Sequence, residues 1–268
     1  MIDKVIIFGH NGMLGSYISS YLKKYSNYKI ININYRINNN FNDIHNILLD
    51  NNINNKTCII NCIGLIPQRN NSNISDYIRI NSIFPNILYN ICNIYKAKMI
   101  QPTTDCVFSG EKGLYTENDI PDSKEIYSIS KILGENINCT VIRTSIIGYE
   151  ISNKHSLLEW VISNNNNNIN GWDNYKWNGI TCLEYSKIVK KIIDNNLFWN
   201  GIKHIYSPNI VSKYELINLI IKNFNLNINL NKISIDNNID RTLDSKYKKI
   251  FNIPTIEKQL KELYNYKI

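Results

Sequence analysis

A doubly wound α/β fold with a parallel sheet is predicted by three observations. Continuous apolar runs at 3–9, 57–64 and 140–148 alternate with stretches of helical periodicity, as strands buried on both faces do. The first run leads straight into a glycine-spaced turn, "GHNGMLG", that opens a helix. Beyond residue 148 the alternation loosens, which points to a smaller C-terminal lobe beside the sheet.

The elements follow in order. "DKVIIFG" (3–9) reads as a buried strand, and Leu14, Ile18 and Leu22 recur at four-residue spacing as one face of a helix. "KIININ" (29–34) and "TCIINCIG" (57–64) are the next strands, and a long helix runs from about Ser75 to Tyr95. "AKMIQPTT" (97–104) is a strand, a helix contains Lys131, and "TVIRTSIIG" (140–148) closes the regular part. In the lobe, helices are expected at 156–163 and 183–195, an irregular Trp-rich stretch at 172–181, a strand at "KHIYS" and a helix from Lys213. The Asn runs at 38–40 and 164–168 read as polar loops. Residues 1–148 are therefore expected to form a cofactor-binding domain, completed by 180–205, with 149–268 mainly an interleaved substrate-binding lobe.

Composition narrows the function. The chain has 268 residues, 43% of them hydrophobic, and a formal net charge of +8. The lysines are dispersed, without a basic block interleaved with aromatics, so nucleic acid is not an expected partner. A moderate positive field suits a phosphate-bearing small molecule instead. No apolar run is long enough to span a bilayer, and the first strand begins at Ile2 without room for a leader. A soluble, cytoplasmic protein is expected. The six cysteines show neither Cys-x-x-Cys nor a zinc-type grouping with His. Free, mostly buried thiols and no metal site are expected.

Gly9, Gly12 and Gly15 sit between a strand and a helix, the setting in which glycines let the backbone approach a pyrophosphate at a helix N-terminus. A Rossmann-type dinucleotide site is expected here, with His10, Asn11, Met13 and Leu14 in the same turn and Cys62, Ile63 and Gly64 at the end of the third strand as cofactor-binding residues. The second strand ends in "NINYR", with Arg36 and no carboxylate before Asp43. An acidic residue there favours NAD, whereas Arg suits the additional phosphate of NADP. NADP(H) is the expected cofactor.

Tyr127 and Lys131 lie four apart in "EIYSISKILGE". In a chain with 18 Tyr and 25 Lys that spacing arises by chance about twice, and it occurs twice, at Tyr25/Lys29 as well. The address separates the two pairs. Thr104 ends a predicted strand, where ligands bind in open α/β sheets, and Tyr127 follows on a helix that sets Lys131 one turn away. Carbonyl reduction needs a proton donor, a group holding the developing oxyanion and a cation near the donor. Tyr127, Thr104 and Lys131 can supply them.

"GHNGMLG", "NCIG", "TTDCVFSGEKGLYTENDIP", "YSISK" and "RTSIIG", followed by "HSLLEW", "KWNGITCLE" and "DRTLDS", occur in this order over nearly the whole chain. In this the sequence resembles extended short-chain dehydrogenases/reductases of the dTDP-4-dehydrorhamnose reductase group. The resemblance implies that Tyr127 protonates the C4 oxygen of a nucleotide-linked 4-keto-6-deoxyhexose while NADPH supplies hydride. It implies that Lys131 holds the nicotinamide ribose and lowers the Tyr127 pKa, and that Thr104 bonds the substrate oxygen. A UDP-linked 2-acetamido-2,6-dideoxyhexos-4-ulose is preferred as substrate over dTDP- or UDP-4-keto-rhamnose.

One position departs from the group, which usually has Tyr two places after the catalytic Thr; here it is Cys106. The similar GDP-fucose synthases use a Cys there with a His to epimerise carbons beside the keto group, and "NKHSLLEW" offers His155. A coupled 3-epimerase, with Cys106 as base and His155 as acid, is therefore a second expectation. Substrate contacts are expected from Gln68, Arg69, Asp105, Trp160, Trp177, Asn178 and Arg241, whereas Arg143 is expected to be structural. Two competing functions stand beside the reductase. A 4,6-dehydratase would usually carry Asp-Glu where this chain has Asp105-Cys106. A non-catalytic NADP-binding partner, like the regulatory subunit of methionine adenosyltransferase, would not need an intact Thr104, Tyr127 and Lys131. A homodimer is a further expectation.

Overall fold

The computed structural model describes residues 1–37, 41–67, 73–152, 154–247 and 250–268. Gln68, Arg69 and the Asn run at 38–40 lie outside them. In the first half, β1 (Lys4–Phe8), α1 (Met13–Tyr25), β2 (Lys29–Ile33), α2 (Asn42–Asp50) and β3 (Thr57–Asn61) follow one another. Then come α3 (Ile74–Ile78), a π-helical turn (Arg79–Ile83), α4 (Phe84–Ile94), β4 (Lys98–Thr104), α5 (Ile126–Leu133) and β5 (Thr140–Thr144). The lobe and sheet edge add β6 (Ile146–Ile147), α6 (Leu157–Ser163), β7 (Asn168–Trp172), β8 (Tyr175–Trp177), β9 (Ile180–Thr181), α7 (Cys182–Asp194) and β10 (Gly201–His204). The chain ends through β11 (Val211–Ser212), α8 (Lys213–Phe224), β12 (Asn229–Ile233), β13 (Ile239–Asp240) and α9 (Ile256–Tyr264).

Among the described residues, six parallel strands form the central sheet in the order β10-β5-β4-β3-β1-β2. Side-chain alternation divides its interior in two. Val5, Ile7 and Ile60 face α1, α7 and α9, whereas Ile6, Phe8 and Ile59 face α2 and α4. Both faces are covered, so the strands are apolar throughout, as the doubly wound reading requires. Chain order reverses between β1 and β3, which opens a crevice at their C-terminal ends.

Several expectations change. The helix expected over 75–95 is three pieces, with the π-helical turn in the middle. The run 140–148 breaks after Thr144 into β5 and β6, and β10 begins two residues earlier than "KHIYS". The Asn run at 164–168 is not wholly a loop: Asn168 starts β7, which pairs in parallel with β12 over five residues. The stretch 172–181 holds β8 and β9 as well as turns. The sequence reading passed over α2, β12 and α9.

A buried polar group ties the lobe to the sheet. Glu135, after α5, accepts two bonds from Arg143 of β5, at 3.1 Å from Nε and 2.7 Å from Nη2, and a third from Thr103 at 2.9 Å. Arg143 Nη1 lies 3.1 Å from His204 Nε2, while His204 Nδ1 faces the carbonyls of Tyr115 and Asp244. Two acceptors at Nδ1 and a donor at Nε2 define a neutral imidazole protonated at Nδ1. The structural role expected of Arg143 is met. The six cysteines are free, and no helix among the described residues is long and apolar enough to cross a membrane.

Candidate active site

The crevice between β1 and β3 is a cleft of about 850 Å³. Gly9 to Met13 form one side, Ile33 to Ile37 the second and Cys62 to Ile66 the third. Gly9 has φ +75°, and a Cβ there would lie 2.7 Å from the Cys62 and Ile63 backbone, so only glycine fits. A Cβ on Gly15 would approach the Gly9 carbonyl to 2.2 Å, which fixes the start of α1 against the turn. The first turn of α1 carries no acidic side chain, leaving its positive dipole end open to an anion. His10 is tied to the Ile33 carbonyl at 3.3 Å, and Arg36 is exposed on the cleft wall. Leu14 faces the core instead of the cleft: it is buried against the sheet.

Two serines set the orientation of α5. Ser128 Oγ donates to the Cys106 carbonyl at 2.7 Å, and the Ser130 carbonyl accepts from Ser82 Oγ at 2.7 Å. Asn81, in the π-helical turn, donates to Ser130 Oγ and to the Leu65 carbonyl and accepts from the Leu65 N–H. These bonds pin "YSISK" between the end of β4 and the cofactor-side loop. Lys131 Nζ donates to the Pro102 carbonyl at 3.4 Å and lies against Gly64, at the cleft. Burial lowers its pKa to about 8, against an opposing pull from Glu135. The phenol of Tyr127 is raised, chiefly by burial and next by Cys106, while the Thr104 hydroxyl within its reach acts the other way. Burial thus moves the phenol opposite to the lowering expected from Lys131.

Thr104 ends β4. Its hydroxyl accepts from the Cys106 N–H at 3.1 Å and donates to Asp105 Oδ1 at 3.2 Å. Asp105 is buried, which raises its pKa, while Lys213 and Arg241 oppose the shift. Arg241 reaches the Tyr175 hydroxyl at 3.5 Å and Glu125 at 3.6 Å. It is delivered by β13, whose segment docks on the loop after β4 through Asp240 N–H to the Gly110 carbonyl and Tyr115 N–H to the Thr242 carbonyl. Lys213, at the N-terminus of α8, lies over the Tyr175 and Trp177 rings at 5.2 and 5.5 Å. Its charge acts on Asp105, Cys106 and Arg241. Sequence reasoning missed Lys213, Tyr175 and Asn81.

Three expected residues take other places. Trp177 is 3% exposed and packs in the core. The Asn178 amide is spent on the Leu243 backbone, donating to its carbonyl and accepting from its N–H. His155 is exposed on the wall of the glycine-lined cleft beside Glu150 and Ser152, a cleft whose lining does not include Cys106. Cys106 points its thiol to Asp105 at 3.7 Å, and burial with that carboxylate pushes it up to about 11.

The fold has solved relatives. A dTDP-4-dehydrorhamnose reductase of Bacillus anthracis str. Ames, solved in complex with NADP, superposes with a TM-score of 0.84 at 19% identity, covering 99% of each chain. The enzymes of Clostridium acetobutylicum and Yersinia enterocolitica give TM-scores of 0.80 and 0.77 at 20% and 18% identity, each covering 98% of both chains. No curated protein matches by sequence. Residues 3–173, more than half of the chain, match the family profile described as the RmlD substrate binding domain, and the protein belongs to that family.

Proposed function

We propose that the protein reduces the C4 keto group of a nucleotide-linked 4-keto-6-deoxyhexose with NADPH. The observation that carries this reading is the meeting of Thr104, Tyr127 and Lys131 at the C-terminal edge of the sheet, next to a glycine-lined cleft. The cradle suits a dinucleotide: Gly9, which a Cβ would drive into the Cys62–Ile63 backbone, lets the turn close on β3, and the α1 N-terminus faces the cleft. Arg36 on its wall, with no carboxylate at the end of β2, favours the phosphate of NADP. The NADP-bound relative from Bacillus anthracis supports the same cofactor.

The cofactor supplies the hydride; the chain supplies the rest. Tyr127 is protonated at neutral pH and donates to the C4 oxygen as charge develops there. Lys131, beside Gly64 and the Pro102 carbonyl, is suited to hold ribose hydroxyls, and its charge favours the phenolate that remains. Thr104 has one proton, and Asp105 receives it. To bond a carbonyl oxygen, which only accepts, Thr104 must turn that proton from Asp105 to the substrate. A thiol at about 11 yields little thiolate base at neutral pH, and His155 lines the other cleft. We therefore propose reduction without epimerisation; a UDP-linked 2-acetamido-2,6-dideoxyhexos-4-ulose and dTDP- or UDP-4-keto-rhamnose are the substrates to compare.

The test is incubation with NADPH and UDP- and dTDP-linked 4-keto-6-deoxy sugars in deuterated water. NADPH oxidation by one of them, with no solvent deuterium at C3 or C5 of the product, is expected. No oxidation by any would sink the reductase, and deuterium at C3 would restore the epimerase.

A further inference from the structure

A second tyrosine meets Tyr127. Tyr77, on α3, is only 8% exposed, yet it sits in none of the apolar clusters formed by the described residues. Its ring packs on Tyr127 instead, with centroids 6.4 Å apart and planes at 68°. That is the edge-to-face arrangement which aromatic pairs favour. The start of α3 is fixed by a capping box. Asn73 accepts from the Asp76 N–H at 2.9 Å, and the Asp76 carboxylate accepts from the Asn73 N–H and pairs with Arg79. One turn beyond Tyr77, Asn81 and Ser82 reach Ser130. Tyr77, Asn81 and Ser82 therefore all bear on α5.

The bonds to Ser128 and Ser130 fix the backbone of α5, but they leave the Tyr127 side chain its own two rotations. Two neighbours bear on the phenol itself, the Thr104 hydroxyl and the Tyr77 ring. The Tyr77 hydroxyl also helps to keep that phenol protonated. In the proposed reaction Thr104 turns its proton to the substrate oxygen, so its hold on Tyr127 is given up as the substrate binds. The Tyr77 ring remains. We infer that Tyr77 is a positioning residue for the proton donor: its ring holds the Tyr127 phenol toward the C4 oxygen while Thr104 engages that same oxygen. The service to proton transfer rests on the proposed reductase activity; the ring contact does not.

The test uses the full chain with ring-labelled tyrosine, the Tyr127 signal being assigned by its loss in Tyr127→Phe. NMR relaxation then follows the Tyr127 ring in wild type, Tyr77→Phe and Tyr77→Leu. Losing one edge-to-face contact should speed Tyr127 ring motion about three- to tenfold in Tyr77→Leu and lower kcat by a similar factor. KM for NADPH and for the sugar nucleotide should stay within about twofold. The solvent deuterium effect on kcat should rise in the same variant, because proton transfer is the step slowed. Tyr77→Phe keeps the ring and should match wild type within about twofold in every readout, a rescue that separates the contact from a loss of fold. Unchanged ring motion in Tyr77→Leu, unchanged kcat in an active enzyme, a loss shared equally by Tyr77→Phe, or a change in KM alone would overturn the inference. Faster ring motion in Tyr77→Leu, where the wild type turns over no 4-keto sugar nucleotide, would uphold the contact and overturn the reductase.

Discussion

Tyr127 holds its proton at neutral pH because burial outweighs the other influences on its phenol, and Lys131 sits under the opposite pressure because burial penalises its charge. Tyr127→Phe should lower kcat by about 10²–10⁴-fold, the range of a lost general acid, with NADPH binding retained by calorimetry. For Lys131 the linkage sign is definite. Its pKa is lowered from 10.5 to about 8, so between those values the unfolded chain binds more protons and stability rises with pH. Lys131→Met should therefore melt higher than wild type at neutral pH, with the difference closing as pH climbs through that window. Cys106 offers a third reading, since the Asp105 carboxylate helps hold its thiol up. Asp105→Asn should speed alkylation of Cys106 by iodoacetamide at neutral pH, measured by peptide mass. Thr104, Tyr127 and the glycines were legible because strand ends and turn chemistry have local signatures. Lys213 was not: one lysine among 25 acquires its role only when α8 carries it to Asp105. Trp177 and Asn178 misled because an aromatic and an amide look alike in sequence whether they meet a ligand or, as here, the core and the Leu243 backbone.

At the scale of elements, α5 is aimed by its packing on the π-helical turn. A Cβ on Gly134 would come within 1.9 Å of the Asn81 carbonyl, so the end of α5 can approach only with glycine there. Gly134→Ala should cost about 1–3 kcal/mol by urea denaturation, as overpacking does, and should lower kcat by displacing Tyr127 and Lys131 together. The turn was invisible beforehand because a π-helical insertion leaves the apolar periodicity on either side intact. β12 escaped for another reason. "NLNKI" is largely exposed and has little apolar alternation, so its strand state comes from pairing with β7 and not from its own pattern.

The whole molecule depends on the joint between sheet and lobe, where Glu135, Arg143 and His204 lie buried. Arg143→Met leaves the Glu135 carboxylate without its cation and should cost about 3–5 kcal/mol in urea denaturation, part of which Glu135→Gln restores in the double variant. His204 is neutral, and its pKa is lowered from 6.5, first by burial and then by Arg143. Below 6.5 the unfolded chain takes up the proton first, so stability should fall with acidification, and His204→Asn should flatten that slope. The fold class was legible at this scale because strands buried on both faces and a glycine turn are features of the chain itself. The joint was legible only as a buried Arg143, since Glu135 reaches it from the end of α5 and His204 from β10, itself held by the carbonyls of Tyr115 and Asp244.

Hydride transfer to C4 is the central claim. NADPH carrying deuterium at its reactive carbon should be oxidised by a nucleotide-linked 4-keto-6-deoxyhexose, with the label recovered at C4 of the product by mass and NMR, and Tyr127→Phe should abolish most of the rate. A product without label at C4, or no oxidation with any such substrate, would contradict the account.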